Sequence, residues 1–227
     1  MLLRIVNINK KYISGKAYFQ ALKDISFEID EGEFVAISGP SGSGKTTLLN
    51  IIGCIDKPDS GEVILDGRSL KARTPDELAS LRREYFGFIF QTYNLIPVLT
   101  AYENVELPLR LLRRFKEDEM RKKVEDALKK VGIYEMRDRK PLELSGGEQQ
   151  RVSIARAIVK EPRLVLADEP TANLDTENGK NIVQIMREMN KNEKITFIFS
   201  THDLLILQYA NRIISLRDGK IVDDVRK

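Results

Sequence analysis

The stretch Gly39-Pro40-Ser41-Gly42-Ser43-Gly44-Lys45-Thr46 decides the fold of this chain. It fits the pattern of a glycine, four residues and Gly-Lys-Ser/Thr, which surrounds the phosphates of a nucleotide. The apolar run Phe34–Ile37 precedes it and the helix-like segment Thr47–Ile52 follows it. Glycines let successive backbone N–H groups turn towards an anion, and the start of a helix adds further free N–H groups. We therefore expect a strand, a phosphate-binding loop and a helix that together hold a nucleoside triphosphate.

Two side chains of this loop have separate tasks. Lys45 is long enough to reach the β- and γ-phosphates, and the hydroxyl of Thr46 is a ligand for Mg²⁺, with Thr47 next to it at the start of the helix. A dinucleotide fingerprint is excluded, because the segment Gly42–Thr47 lacks the third glycine of that motif.

Composition limits the classes of protein to which the chain can belong. It has 227 residues, 42% of them hydrophobic, with a net charge of +3 and charges of both signs interspersed, so no basic stripe for nucleic acid is present. The single cysteine, Cys54, excludes an intrachain disulfide. The apolar stretch at Met1–Ile5 is too short for the signal peptide of a secreted protein, and no run approaches the about 20 apolar residues that span a bilayer. We expect a soluble, cytosolic protein unless a partner holds it elsewhere.

Periodicity predicts an α/β fold with a parallel sheet. The near-continuous apolar runs Leu164–Ala167 and Ile195–Phe199 are typical of strands buried on both faces, and Asp175–Asn190 between them predicts a crossover helix. Alternating segments predict an antiparallel subdomain in the first part of the chain, at Leu3–Asn9, Ala21–Ile29 and Gly61–Leu65. Residues 92–160 are predicted to be an inserted helical subdomain, and residues 1–91 and 161–227 the core with the β subdomain.

Polar side chains follow both buried strands. Asp168 and Glu169 follow the first strand, and His202, the only histidine, follows the second. Ligand sites of open α/β sheets lie at the carboxyl ends of their strands. Asp168 is thus a candidate ligand for Mg²⁺, Glu169 for orienting or deprotonating a water, and His202 for contacting the γ-phosphate. Solvated carboxylates and a structural histidine are the alternative interpretation.

A second anion-binding turn, Ser145-Gly146-Gly147, lies within the segment Leu144–Arg151 and leads into a helix. The chain resembles the ATP-binding cassette ATPases in a set of motifs that occur in the family's order: the phosphate loop, Gln91, Leu144–Arg151 with the signature Leu-Ser-Gly-Gly, Leu166–Glu169, Asn173–Asp175 and His202. The resemblance covers essentially the whole chain and implies a RecA-like P-loop NTPase core.

The resemblance implies that two cassettes pair head to tail around two ATP molecules. Each ATP would lie between the phosphate loop of one copy and Ser145–Gly147 of the other. It assigns Gln91 to Mg²⁺ and the attacking water, Asp175 to communication across the dimer, and Tyr12 to stacking on adenine, with Tyr18 as the rival. Glu148 replaces the usual glutamine of the signature, at a position that points away from the phosphates in the family.

The segment Leu95–Val105 is apolar, contains a proline and is not needed for hydrolysis. In cassette transporters this region borders the groove that receives a short helix of a membrane permease; packing within the helical subdomain is the alternative. Three stretches resemble the lipoprotein-releasing and macrolide-exporting subfamily: Asn50–Pro58, Asn94–Pro97 and Glu103–Val105. The resemblance thus implies a cytoplasmic ATPase held on the inner face of the membrane by its permease. A soluble cassette ATPase acting on nucleic acid or the ribosome is the competing hypothesis.

Overall fold

The phosphate loop leaves the middle of a six-stranded sheet in the computed structural model, which describes residues 1–14 and 17–227. Its strands, in the order β10-β9-β3-β8-β7-β6, are β3 (Phe34–Ser38), β6 (Phe86–Ile89), β7 (Leu164–Asp168), β8 (Thr196–Thr201), β9 (Arg212–Arg217) and β10 (Lys220–Arg226). All neighbours pair in parallel except β9 and β10, which form a hairpin. The α/β fold with a parallel core sheet is confirmed.

A second, antiparallel sheet has the order β2-β1-β4-β5. Its strands are β1 (Leu3–Ser14), β2 (Ala17–Ile29), β4 (Ser60–Leu65) and β5 (Arg68–Ser69). The first two are longer than their apolar alternation predicts, because backbone pairing continues past the core to Tyr12 opposite Phe19. The side chains of this outer part of the hairpin are exposed. The sequence there does not need to alternate between apolar and polar residues, and alternation therefore cannot predict the strands.

Seven α-helices complete the described residues: α1 (Lys45–Ile52), α2 (Pro75–Tyr85), α3 (Ala101–Leu112), α4 (Glu117–Lys130), α5 (Gly146–Ile158), α6 (Thr176–Glu193) and α7 (Leu204–Tyr209). Helices α2, α3 and α5 each begin with a capping box, in which a Thr or Ser accepts a backbone N–H and a glutamate reaches back to the capping residue. We refer to Glu77, Glu103 and Glu148 as the capping carboxylates. The N–H bonds they accept lower the pKa of all three.

One helical prediction was wrong at its beginning. Residues 92–100 form a turn-rich loop, in which Tyr93 and Asn94 both have positive φ and Pro97 lacks an N–H donor. Helices α3, α4 and α5 follow this loop and lie, in the chain, between the neighbouring strands β6 and β7. Across the described residues, no helix is both long and apolar enough to cross a membrane.

Two apolar cores cover the two faces of the parallel sheet. One packs α1 and the antiparallel sheet against it, and the other packs helices α3–α7 against the opposite face. Because β3, β8 and β7 are parallel neighbours, their carboxyl ends meet at one edge of the sheet. An apolar core packs against each face of the sheet behind this edge.

Candidate functional site

Residues of the loop between β3 and α1 line a cavity of about 400 Å³. Gly44 caps α1 with φ of 105°, and a Cβ there would lie 2.5 Å from the carbonyl oxygen of Ala21, so the position requires glycine. The buried Lys45 spans the loop, where its ammonium donates to the carbonyls of Gly39 (2.8 Å) and Pro40 (3.1 Å). A nucleotide phosphate would offer this ammonium a charged partner in place of two neutral ones.

Residues from distant parts of the chain line the same cavity. Gln91, Glu169 and His202, all predicted as site residues, lie there together with Ser41, Gly42, Lys45, Thr46 and Thr47 of the loop. Phe19 also lines it, from the strand opposite Tyr12. Sequence reasoning missed Phe19, because it lies in the exposed outer part of the hairpin, beyond the strands that the apolar alternation predicts.

The two side chains predicted to bind Mg²⁺, Thr46 and Asp168, meet where β7 ends. The hydroxyl of Thr46 donates to Oδ1 of Asp168 at 3.1 Å. Mg²⁺ in nucleotide sites takes one or two protein oxygens and completes its shell with phosphates and water. This pair fits that chemistry, and the described residues hold no larger His, Cys, Asp and Glu cluster that would indicate an all-protein metal site. Gln91 is exposed and lines the cavity, and its backbone carbonyl accepts from the side-chain amide of Asn173 at 2.9 Å.

Glu169 contacts three successive residues at the carboxyl end of β8 and just after it. Its backbone N–H donates to the carbonyl of Ser200 (2.9 Å), Thr201 donates its hydroxyl to Oε2 (3.2 Å), and Nδ1 of His202 lies 2.8 Å from Oε1. These contacts follow from the pairing of Asp168 with Ser200 in neighbouring parallel strands. Glu169 also has φ of 46°, an uncommon value for a non-glycine residue that persists only where the surroundings enforce it. The carboxylate is thus fixed at the wall of the cavity.

The turn Ser145-Gly146-Gly147 starts α5 and lies outside this cavity. A Cβ on Gly146 would lie 3.0 Å from the Tyr93 hydroxyl, and one on Gly147 would lie 3.0 Å from Oδ1 of Asn178. Both glycines therefore allow a close approach of other segments. Glu148, expected to point away from the phosphates, closes the capping box of α5: its Oε2 accepts the Ser145 N–H at 2.7 Å and the Ser145 hydroxyl at 2.9 Å.

Asp175 lies beside this turn. It caps α6 by accepting the backbone N–H of Asn178 (2.9 Å), and its second oxygen accepts from the Asn178 amide (2.7 Å). The backbone N–H bond, followed by the amide bond, lowers the pKa of Asp175. Because Asn178 also contacts Gly147, the structure brings Asp175 and the Ser145–Gly147 turn into one group, apart from the phosphate loop.

The two tyrosines proposed for the base differ in position. Tyr12 stands directly opposite Phe19, which lines the cavity, whereas Tyr18 is paired with Ile13 and projects from the other face of the hairpin. The hydroxyl of Tyr12 donates to Oδ2 of Asp56 at 2.7 Å. Burial, and then this bond, raise the pKa of the phenol. The geometry favours Tyr12 over Tyr18.

Arg156 on α5 ties down the loop after Gln91. Its guanidinium donates to the carbonyls of Tyr93 (2.6 Å) and Asn94 (2.5 Å), and burial lowers its pKa to about 10. Further along, the buried Asn104 amide accepts the Ile96 N–H and donates to three carbonyls of the loop. Sequence reasoning identified neither residue as an anchor.

The segment Leu95–Val105, proposed as the docking surface, divides into two parts. Ala101 and Val105 are buried in the helical core, so those positions serve packing. Val98, at the tip of the loop, is 73% exposed, and Pro97 beside it is exposed as well. Of the segment Leu95–Val105, the loop before α3 therefore remains as the candidate docking surface.

Comparisons with known proteins agree with this geometry. The chain matches the family model described as ABC transporter over residues 22–172. It is 46% identical to the ABC transporter ATP-binding protein MJ0796 of Methanocaldococcus jannaschii, over 97% of this chain and 95% of that protein. It is also 46% identical to the macrolide export ATP-binding/permease protein MacB of Mannheimia succiniciproducens, but spans 35% of that longer protein. The dimeric post-hydrolysis structure of MJ0796 with ADP and Pi has a TM-score of 0.93 and 44% identity, covering 99% of this chain and 98% of that one.

Proposed function

The chain belongs to the ABC transporter family, and from this premise we propose that it hydrolyses ATP to drive a membrane permease that exports or extracts a substrate. The cassette ATPase fold, the ATPase activity and the likeness to macrolide-exporting cassettes, all predicted from the sequence, are confirmed. The competing hypothesis of an ATPase that acts on nucleic acid or the ribosome has no support among these relatives.

The position of Glu169 is the observation that carries the chemistry. A water between this carboxylate and the γ-phosphate is oriented by Oε1 or Oε2, which takes its proton as the water oxygen attacks phosphorus. The bond from the γ-phosphorus to the β–γ bridging oxygen breaks, and ADP and phosphate are released. His202 contacts the γ-phosphate, and Lys45 neutralises the charge that moves towards ADP.

The ATP is bound with Mg²⁺, which neutralises phosphate charge in the transition state. Thr46 and Asp168 would hold it, and Gln91 would contact both the metal and the attacking water. The loop Gly39–Thr47 binds the phosphates through its backbone N–H groups, which every residue of the loop except Pro40 has. Tyr12 stacks on the adenine.

The second half of each site comes from another copy of the chain. The Ser145–Gly147 turn and Asp175 form one group that does not line the phosphate cavity, so one chain cannot enclose the γ-phosphate. A head-to-tail pair would place this group of one copy over the phosphate loop of the other, and the similar protein MJ0796 is a dimer with ADP and Pi. In this arrangement residues 92–160 act as a helical subdomain carried by the core, 1–91 and 161–227.

Docking to the permease uses the loop around Val98. A side chain that is 73% exposed on a loop pinned by Asn104 and Arg156 gives a short helix an apolar contact of fixed shape. The proposal places the cassette at the cytoplasmic face of the membrane, through the permease. The MacB relatives are named as ATP-binding/permease proteins, which favours a permease of that kind.

Replacing Glu169 by glutamine tests the proposal. Glu169→Gln should bind ATP normally but turn over roughly a hundredfold more slowly or worse, the scale of losing a general base. With ATP the variant should elute from a size-exclusion column as a dimer, and with ADP as a monomer. Glu161→Gln, which alters a surface carboxylate paired with Lys123, is the matched control. Near-normal hydrolysis in Glu169→Gln would exclude the assigned role of Glu169.

A further inference from the structure

The ring of Tyr12 is held by two residues that do not touch the phosphate cavity. Its hydroxyl donates to Oδ2 of Asp56 at 2.7 Å, and the ammonium of Lys10 lies 5.1 Å from the centre of the ring. Lys10 is only 8% exposed, although it carries a charge. A charge buried to this extent requires a partner, and Asp56 supplies it.

Asp56 lies in the turn after α1, where its backbone N–H donates to the carbonyl of Asn50 at 3.1 Å. Oδ1 accepts from the Lys10 ammonium and from the Lys57 N–H, each at 2.7 Å, and Lys10 also donates to the Lys57 carbonyl at 2.6 Å. Burial raises the pKa of Asp56, but the bonds from Lys10 and Tyr12 outweigh it and leave the pKa below its usual value. Both oxygens of the carboxylate are therefore engaged within the chain.

We propose that Lys10 and Asp56 are positioning residues that hold the Tyr12 ring in its stacking orientation before a nucleotide arrives. This inference rests on the proposed contact of Tyr12 with the base. Lys10 is near one face of the ring, and the part of Tyr12 that remains exposed, 38%, is what a base can reach. A ring that is already ordered loses less conformational entropy on binding than a free one.

If Lys10 and Asp56 act only by holding the Tyr12 ring, they affect stacking on the face of the base and not hydrogen bonding to its edge. The Asp56 carboxylate accepts from Lys10 and Lys57 and from the ring hydroxyl of Tyr12, so in this proposal it acts through the ring and not on the amino group of adenine. Removing it should therefore weaken the binding of adenine and guanine nucleotides by the same factor. Ligands without a base should be unaffected.

Isothermal titration of the full chain with ADP, GDP and inorganic tripolyphosphate tests this. Asp56→Ala and Lys10→Met should each weaken ADP and GDP roughly three- to tenfold, the cost of ordering one side chain, and leave tripolyphosphate unchanged. Asp56→Asn, which keeps the size, should weaken ADP less than Asp56→Ala. The control is Asp59→Ala: Asp59 accepts the Lys11 N–H at 2.6 Å, in the same turn and on the same strand, but does not touch the Tyr12 side chain. It should change none of the three affinities.

Loss of tripolyphosphate binding in Asp56→Ala, or an equal loss of ADP binding in Asp59→Ala, would overturn the proposal by showing a general structural role. In a Tyr12→Ala chain, adding Asp56→Ala should cost nothing more, and an additive effect would also overturn it. A Tyr12→Ala chain with normal ADP affinity would refute the base contact itself. A weakened Tyr12→Ala beside an unchanged Asp56→Ala would refute only the positioning.

Discussion

Replacing Glu148 by glutamine should strengthen the ATP-bound dimer. The Glu148 carboxylate lies 2.9 Å from the Ser145 hydroxyl oxygen. If a phosphate oxygen of the partner's ATP bonds the same hydroxyl at about 2.7 Å, the two negative charges are about 5 Å apart. Their repulsion is then about 3 kcal/mol at an effective dielectric constant near 20, and about 0.8 kcal/mol if fully screened as in water.

Glu148→Gln also weakens the cap of α5, which lowers the free energy of unfolding by about 0.5–1.5 kcal/mol. Because the free chain and the dimer both lose this cap, the loss largely cancels in the free energy of dimerisation. The dimer contains two such sites, so removing the fully screened repulsion of about 0.8 kcal/mol at each stabilises it by about 1.6 kcal/mol. The dissociation constant of the dimer should then fall at least tenfold.

Sedimentation equilibrium with saturating ATP should compare Glu169→Gln with Glu169→Gln/Glu148→Gln. Adding Glu143→Gln instead is the control, because Glu143 caps the Lys140 N–H and does not contact Ser145. A double variant that dimerises no more tightly than Glu169→Gln alone, or more weakly, would refute the repulsion argument. A gain of equal size in the Glu143 control would assign the effect to net charge.

Three further outcomes can be measured. Tyr12→Ala should weaken ATP binding by about 1–3 kcal/mol, the scale of base stacking, while Tyr18→Ala should leave it unchanged; equal losses in equilibrium dialysis would contradict the choice of Tyr12. The capping carboxylates have lowered pKa values in the folded chain, so the stability they add is complete above their unfolded pKa, about 4.3, and is lost as the pH falls through the folded values. Urea titrations between pH 3 and pH 6 should show this slope, and a triple Glu→Gln chain should flatten it. Val98→Glu should abolish stimulation by the permease and keep the basal ATPase rate, with Val98→Leu as the control; full stimulation in Val98→Glu would remove this loop from the docking surface.

The sequence predicted those parts of the site that depend on local order or on strand ends. The phosphate loop is contiguous, and its glycines and Lys45 act within eight residues. Asp168, Glu169 and His202 could be grouped because the carboxyl ends of neighbouring parallel strands must meet at one edge. Their mutual contacts then follow from the pairing of Asp168 with Ser200.

The contacts that sequence reasoning missed join segments without a shared pattern. Tyr12 and Asp56 are 44 residues apart, and Arg156 and Asn94 are 62 apart. Neither pair lies on a common helix face or strand end, so no periodicity marks it. The same is true of Asn178 against Gly147, since a side chain that fills the space left by a glycine gives no signal of its own.

Because the two halves of the site lie apart on one chain, damage to them can be separated between copies. A Lys45→Ala chain lacks a working phosphate loop but keeps a sound Ser145 turn, and a Ser145→Arg chain has the opposite defect. A dimer formed from either variant alone has a damaged half in each of its two sites. When the two are expressed together, a mixed pair contains one site built from both undamaged halves and one site that combines both lesions. Two silent alleles should then complement each other in the same cell, whereas two lesions on one chain should never be rescued by a Lys45→Ala partner.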